Sequence, residues 1–355
     1  MKPFLKSDLK YILAYIIPVL SVAALQEGGL WAYAVPFVAF GLIPVLELWL
    51  PFDRRNVPAE LEEPRQRLRV FDYLLYLNIP FFWYLLHIYL SRMSRGDLAL
   101  WEMGGYVWTM SILCGVLGIN VAHELGHHSR PLDQWLARLQ LMGSLYMHFF
   151  IEHNRGHHRY VSTPLDPASA PIGMSVYKFW LRSVIGGIRS AWKLEVQRLR
   201  SKGISPWNWR NEMLWYGAAQ SALLGAVALR YGWAGLGAFL CAAVGGILLL
   251  ETVNYIEHYG LQRREVRPGI YEPVRPRHSW NSEHLLGRIL LYELTRHSDH
   301  HYKSSRKYQN LRYFEESPQL PLGYPASMWL SLVPPLWFSR MDRLAMRWRA
   351  VGGQG

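Results

Sequence analysis

Six apolar stretches, residues 11–26, 30–51, 70–90, 106–122, 213–229 and 234–256, constrain this chain more than anything else in it. Each approaches or exceeds the roughly 20 residues that cross a hydrocarbon layer as a helix. A bilayer offers backbone N–H and C=O groups no water, so such stretches must satisfy themselves, and the helix is how a single segment does so. The sequence therefore predicts an all-α integral membrane protein of six transmembrane helices, folded as one domain over residues 1–355. The first stretch lacks a small-residue cleavage site and the second follows it at once, so it reads as a retained span. Pro36 and Pro44 interrupt the second stretch, and neighbouring helices are expected to take up the carbonyls they free. Tyr231-Gly232-Trp233 reads as a tight turn between the last two spans. Between and beyond the spans, amphipathic stretches are expected at 134–150 and 176–199, a Pro- and Arg-rich loop at 263–277, and a helix at 283–301. Residues 330–338 are too short and proline-broken to span and read as interfacial.

The net charge of +12 suits nucleic acid, anionic lipid or an acidic protein, and its distribution separates these. If residues 1–10, 52–69, 122–211 and 258–355 share one side of the membrane, they carry 35 of the 38 Lys and Arg. Only Arg92, Arg95 and Arg230 fall elsewhere. The positive-inside rule then places both termini and the polar parts 123–210 and 258–355 in the cytoplasm, and accounts for the charge without nucleic acid. Cys114 and Cys241, the two cysteines, form no Cys-x-x-Cys pair, which excludes a disulfide framework, a zinc ribbon and an iron-sulfur motif.

On that cytoplasmic side the sequence gathers ten of its fourteen histidines into four groups: His123-Glu124-Leu125-Gly126-His127-His128, Glu152-His153-Asn154-Arg155-Gly156-His157-His158, Asn254-Tyr255-Ile256-Glu257-His258, and His297-Ser298-Asp299-His300-His301. Neutral imidazole is the commonest metal ligand, and clustering on this scale points to metal rather than packing. Helical spacing puts His123 with His127, His153 with His157, and His297 with His300 and His301 on common faces. His128 follows His127 and points about 100° away, so it is left out. His87 and His148 read as structural or interfacial, and His278 and His284, flanking Trp280-Asn281 in the cytoplasmic loop, as solvated or as supporting a ligand rather than ligating. Nine imidazoles exceed one ion; shared between two they supply four or five nitrogens each, a donor set that suits zinc, copper or iron. Glu124, Glu152, Glu257 and Asp299 neighbour these histidines and could orient them or bond Arg155 and Arg296; Asn254 lies one turn below His258. A competing reading takes His123 to His127 as the H-E-x-x-H of an intramembrane zinc protease, but it needs one further ligand and leaves the other histidines idle.

HELGH at 123–127, EHNRGHH at 152–158 with TPLDPAS at 163–169, NYIEHYGL at 254–261 and RHSDHH at 296–301 together make the chain similar to the integral-membrane alkane monooxygenases. That family lies within the larger superfamily of histidine-rich membrane hydroxylases and fatty-acid desaturases. The resemblance covers nearly the whole chain. It implies a non-haem di-iron site held by His123, His127, His153, His157, His158, His258, His297, His300 and His301. It also implies O2 as co-substrate and hydroxylation of the terminal methyl of a medium- or long-chain alkane. Electrons would come from rubredoxin, itself reduced by rubredoxin reductase, in the bacterial inner membrane. Three positions depart from the alkane pattern: His128 stands in place of lysine, Thr295 in place of glutamine, and Leu165 resembles the xylene-type methyl hydroxylases. They bear on substrate rather than on chemistry, and a fatty-acyl desaturase is the other alternative. An apolar channel among the first, second, third and sixth spans is expected to admit the alkane, with Ala39 and Gly41 setting how much chain fits.

Overall fold

The computed structural model describes residues 3–352, which are mostly helical. Among the described residues five helices are long and apolar enough to cross a membrane: α1 (Lys6–Glu27), α2 (Gly29–Glu47), α4 (Val70–Met93), α5 (Leu100–Gly126) and α9 (Glu212–His258). The short α3 (Ala59–Gln66) precedes α4. The polar segments supply α6 (Pro131–Gly143), α7 (Phe149–Tyr160), α8 (Val176–Arg200), α10 (Leu285–Leu290), α11 (His297–Tyr302), α12 (Tyr324–Ser331) and α13 (Pro334–Gly352). One departure from an all-α fold is a small antiparallel hairpin, β1 (Glu265–Arg267) with β2 (Ile270–Tyr271), inside the loop expected at 263–277.

The longest of these helices, α9, is two legs. Its backbone leaves helical geometry at Gly232 (φ 66°, ψ −173°), a left-handed conformation that glycine adopts without a Cβ clash. The Met147 amide donates to Gln220 Oε1 at 3.1 Å, while the neighbouring Tyr146 hydroxyl donates to Glu251 Oε1 at 2.6 Å. At 1.5 Å per residue a straight helix would hold Gln220 and Glu251 about 46 Å apart. The chain therefore doubles back at the turn that Tyr231-Gly232-Trp233 marks.

Both prolines of α2 leave a carbonyl without its helical donor, and both carbonyls are met from elsewhere. Ala32 O, four residues before Pro36, accepts from Thr109 Oγ1 of α5 at 2.8 Å. Phe40 O, four before Pro44, accepts from Trp329 Nε1 of α12 at 3.0 Å. A proline costs a membrane helix little when such donors are at hand.

At the centre, α5 packs against both the second leg of α9 and the end of α6 through small residues. A Cβ at Gly246 would run into Cys114, and one at Gly118 into Ser144. The helix expected at 283–301 is broken: α10 ends at Leu290, Tyr292 and Glu293 take positive φ (51° and 58°), and α11 starts at His297. The cause is ionic. Buried Glu293 accepts from Arg288 Nε at 2.6 Å, from Lys10 Nζ at 2.7 Å and from the Tyr11 hydroxyl at 2.8 Å, which turns the chain back toward α1. The expected amphipathic stretch 134–150 likewise ends as a helix at Gly143, and Leu145 (φ 54°) redirects it.

A second buried pair ties α1 to α3. Arg65 forks onto Asp8 with Nη1–Oδ2 at 2.7 Å and Nη2–Oδ1 at 2.9 Å, and both side chains are nearly inaccessible. Removing one partner of such a pair strands the other charge. Arg65→Ala is expected to destabilise the fold by roughly 3–5 kcal/mol, seen as a lower melting temperature in detergent. Arg67→Ala, which removes an exposed pair with Glu63, should leave melting nearly unchanged.

Candidate metal centre

The nine imidazoles come together from four elements as two adjoining groups: His123, His127, His153, His158 and His300, then His157, His258, His297 and His301. Within each, one ring nitrogen per residue lies within 4.8 Å of all the others. The groups touch, with the rings of His158 and His301 4.4 Å apart between centroids.

The partition differs from the spacing-based expectation at two places. In α7 the chain is a π-helix over His153–His157, and the His158 amide bonds back to His153 O, five residues away. Five-residue spacing then overlays His153 with His158, whose Nε2 atoms lie 3.1 Å apart, and sends His157 into the other group. In α11, His297 and His301 stay together at 2.9 Å between Nε2 atoms while His300 turns to His123 at 2.8 Å. A π turn is thus what lets one short helix serve both groups.

The donor chemistry fits metal. Nε2 faces Nε2 at 3.0 Å for His153 and His127, His158 and His300, and His297 and His258. Burial, reinforced by the neighbouring imidazoles, holds His153, His158, His297, His300 and His301 well below the usual imidazole range, and His127 down at about 3. With these imidazoles held neutral, a shared cation would fit between the facing nitrogens. His157 Nε2 is buried with no hydrogen-bond partner. Its Nδ1 lies 2.9 Å from Asp166 Oδ2; burial opposes its protonation, but that carboxylate outweighs burial and holds its pKa above the usual imidazole value, and an ion at Nε2 would leave the proton on Nδ1, facing Asp166.

Asp166 was not singled out from sequence. Its signal is a carboxylate set in a proline-bounded loop nine residues past His157, in the TPLDPAS stretch. The carboxylates that were singled out scatter. Glu257 Oε2 reaches His297 Nε2 at 3.2 Å, and its Oε1 accepts from the Tyr324 hydroxyl at 2.7 Å. Asn254 donates to Glu251 rather than to an imidazole. Asp299 binds Arg306 and the Arg312 amide, and Arg296 pairs instead with Glu283. Glu152 lies beside His153 with Oε1 unpartnered, while Arg155 pairs with Glu195 and Glu212. Glu124 accepts from the Tyr308 amide at 2.9 Å and lies 3.4 Å from His128, so it is turned away from the nitrogens and is not placed to activate water as a protease glutamate would be.

His128 stands outside both groups. Burial opposes its protonation, but hydrogen bonds to Asp133 and Glu124 outweigh burial and hold its pKa up at about 9. His87 meets the Tyr231 hydroxyl, His278 lies 3.4 Å from Glu272, and His284 meets Ser282. His148 packs on the Tyr146 ring, with its pKa depressed to about 4 by burial.

Two apolar spaces lie among the spans. An inner cavity of about 80 Å³ is lined by Ile17, Ala39, Ile43, Ile112, Val116 and Val253, with Leu290 and Tyr324 from the polar segments. Its walls come from the first, second, fourth and sixth apolar stretches; the third stretch and Gly41, expected along the channel, are not among its lining residues. A Cβ at Gly41 would instead meet the Phe37 ring of its own helix. A wider groove of about 750 Å³, lined by Trp108, Trp180, Trp233 and Cys241 among others, shares Phe40, Leu249 and Met328 with the inner cavity.

Comparison with known proteins adds to this geometry. The fatty acid desaturase family model matches residues 99–331. An alkane 1-monooxygenase 2 of Pseudomonas aeruginosa is 40% identical over 88% of this chain and 83% of its own length. An alkane 1-monooxygenase 1 of Alcanivorax borkumensis is 37% identical over 93% of this chain and 82% of its own. The hydroxylase component of a xylene/toluene monooxygenase of Pseudomonas putida is 31% identical over 94% and 88%.

Proposed function

The chain belongs to the alkane 1-monooxygenase family, and from that premise we propose that it hydroxylates the terminal methyl of medium- or long-chain n-alkanes to 1-alkanols. The observation that carries this is the pairing of two nitrogen-rich groups with an apolar cavity whose walls run along the same helices. Val116 and Val253 line that cavity seven and five residues before His123 and His258. The higher identity to alkane than to xylene relatives favours the alkane branch.

Two iron ions are the proposed occupants, one for the five-nitrogen group and one for the four-nitrogen group. When bound they would supply activation of O2, chemistry that side chains alone do not provide. The balance is R–CH3 + O2 + 2 e⁻ + 2 H⁺ → R–CH2OH + H2O, so an outside reductant is required, and rubredoxin with its reductase is the proposed source. The protein's own part is position and dryness. An alkane offers no polar handle, so it is held by burial at about 0.8 kcal/mol per CH2. Asp166 keeps the His157 ring in one tautomer and orientation. Six membrane crossings, with α9 supplying two, and both termini with the histidines on the cytoplasmic side of the inner membrane complete the proposal; the one-sided distribution of Lys and Arg supports it.

Metal analysis of the purified protein, with product analysis on octane, hexadecane and xylene in the presence of rubredoxin, its reductase and NADH, tests the reading. Iron and 1-alkanol are expected; an alkene from an acyl substrate would point to a desaturase, and zinc with no O2 dependence to a protease. Cavity shape gives a further expected result. Ala39→Trp fills the inner cavity and should shift the preferred alkane to shorter chains, read from product yields across C8 to C16. An unchanged profile would remove Ala39 from the substrate path.

A further inference from the structure

Helix α8 has three faces. Val176, Phe179, Ser183, Gly187, Ala191 and Glu195 are buried against the protein. On one flank Tyr177, Trp180, Val184, Ile188 and Trp192 form an apolar stripe, and Trp180 also lines the wide groove between the spans. A stripe of this kind belongs at the membrane interface. On the opposite flank Lys178, Arg182, Arg189 and Lys193 border a second groove of about 790 Å³, which the exposed Leu181 and Ile185 also line. No carboxylate lines that groove, and none of the four cations makes an ion pair among the described residues. Because the apolar flank takes the lipid side, the cationic flank faces away from it, toward water.

The far wall of the groove is the loop carrying Pro164, Leu165 and Pro167. Between them Asp166 turns inward to His157 Nδ1, and its carbonyl accepts from Arg182 Nη2 at 3.1 Å. One side chain thus separates the groove wall from the four-nitrogen group.

We infer that this groove is where the electron-delivering partner docks, and that the partner is a small acidic one-electron carrier protein. The inference rests on the function proposed above, in which each turnover consumes two electrons, so the carrier docks twice per alkanol formed. Unpaired cations beside exposed apolar side chains give such a protein both steering and an apolar contact. A position one side chain from His157 keeps the transfer path short.

The test uses the full-length protein with purified rubredoxin, its reductase and NADH. Arg189→Glu combined with Lys193→Glu is expected to raise the KM for rubredoxin by roughly tenfold or more at low salt, to flatten its salt dependence, and to leave iron content and the KM for octane unchanged. Lys202→Glu, an equally exposed cation beyond the groove, should change the rubredoxin KM less than about twofold. A rubredoxin KM unmoved by the double variant overturns the docking site. So does loss of co-purified anionic phospholipid at unchanged KM, which would make the groove a lipid site. Dithionite-reduced wild-type protein given O2 and octane keeps the two readings apart. If it makes no octanol, the proposed function fails; if it makes octanol while the KM stays unmoved, the docking inference alone fails.

Discussion

Alanine at His301 is expected to cut alkanol formation more than roughly 100-fold and to lower iron content with it. Loss of a group that only orients a ligand already costs 10–100-fold. His301 sits in the smaller group, with Nε2 2.9 Å from His297 and its ring 5.0 Å from that of His258. Removing it leaves three nitrogens where the proposed ion would have four. The same outcome is expected for each of the other eight, read as iron per chain by elemental analysis alongside octanol yield. His128→Ala is the informative contrast. It takes one partner from Asp133 and from Glu124, both buried, which keep the Tyr76 hydroxyl and the Tyr308 amide, and should cost roughly 1–3 kcal/mol of stability. Iron per folded molecule should nevertheless stay at the wild-type level. Full activity after loss of His301 or His258 would break the nine-ligand proposal.

Why His128 and His127 part company was readable from sequence, since neighbours on a helix point about 100° apart. The apolar stretches were equally plain, because a bilayer leaves a long apolar segment few alternatives to a helix. What the spacing could not show was how nine histidines divide. The face-sharing argument assumed α geometry, and a π turn at His153–His157 replaces a four-residue repeat with a five-residue one. Nothing in Asn154-Arg155-Gly156 marks that turn. Its local cause lies in tertiary contacts: a Cβ at Gly156 would press on Glu152 Oε1, Leu194 and Ser190, so the helix runs tight against α8 there. The break at Tyr292-Glu293 was hidden for a similar reason. Its driving contacts, Lys10 and Tyr11, stand more than 280 residues away in the chain. Carboxylate roles followed the same rule. Adjacency in sequence suggested Glu124, Glu152, Glu257 and Asp299; Glu257 does reach a ring, that of His297 rather than of its neighbour His258, and Asp166, which adjacency does not mark, reaches His157.

Asp166 is accordingly the residue beyond the nine whose loss should matter most. Its Oδ2 takes the His157 Nδ1 contact at 2.9 Å and a bond from Ser169 Oγ at 2.6 Å, and its Oδ1 takes the Ala168 amide at 3.0 Å. Asp166→Ala frees the ring to rotate and to change tautomer, and is expected to lower iron affinity or turnover by roughly 10–100-fold. Asp166→Asn keeps an acceptor for Nδ1–H but loses the charge, so an intermediate loss is expected. Two controls separate an effect on the ring from an effect on the loop. Ser169→Ala removes a bond to the same carboxylate without touching His157, and should leave iron affinity within a few-fold of wild type. Melting of the iron-free protein reports the loop alone. If Asp166→Ala lowered that melting temperature while iron affinity, measured by competition with a chelator, stayed constant, the carboxylate would be holding the loop and not the ligand. Because the same loop walls the cationic groove, the Asp166 variants also bear on electron delivery. A fall in octanol with rubredoxin that dithionite restores, at constant iron, would place the damage at docking, whereas a loss common to both reductants places it at His157.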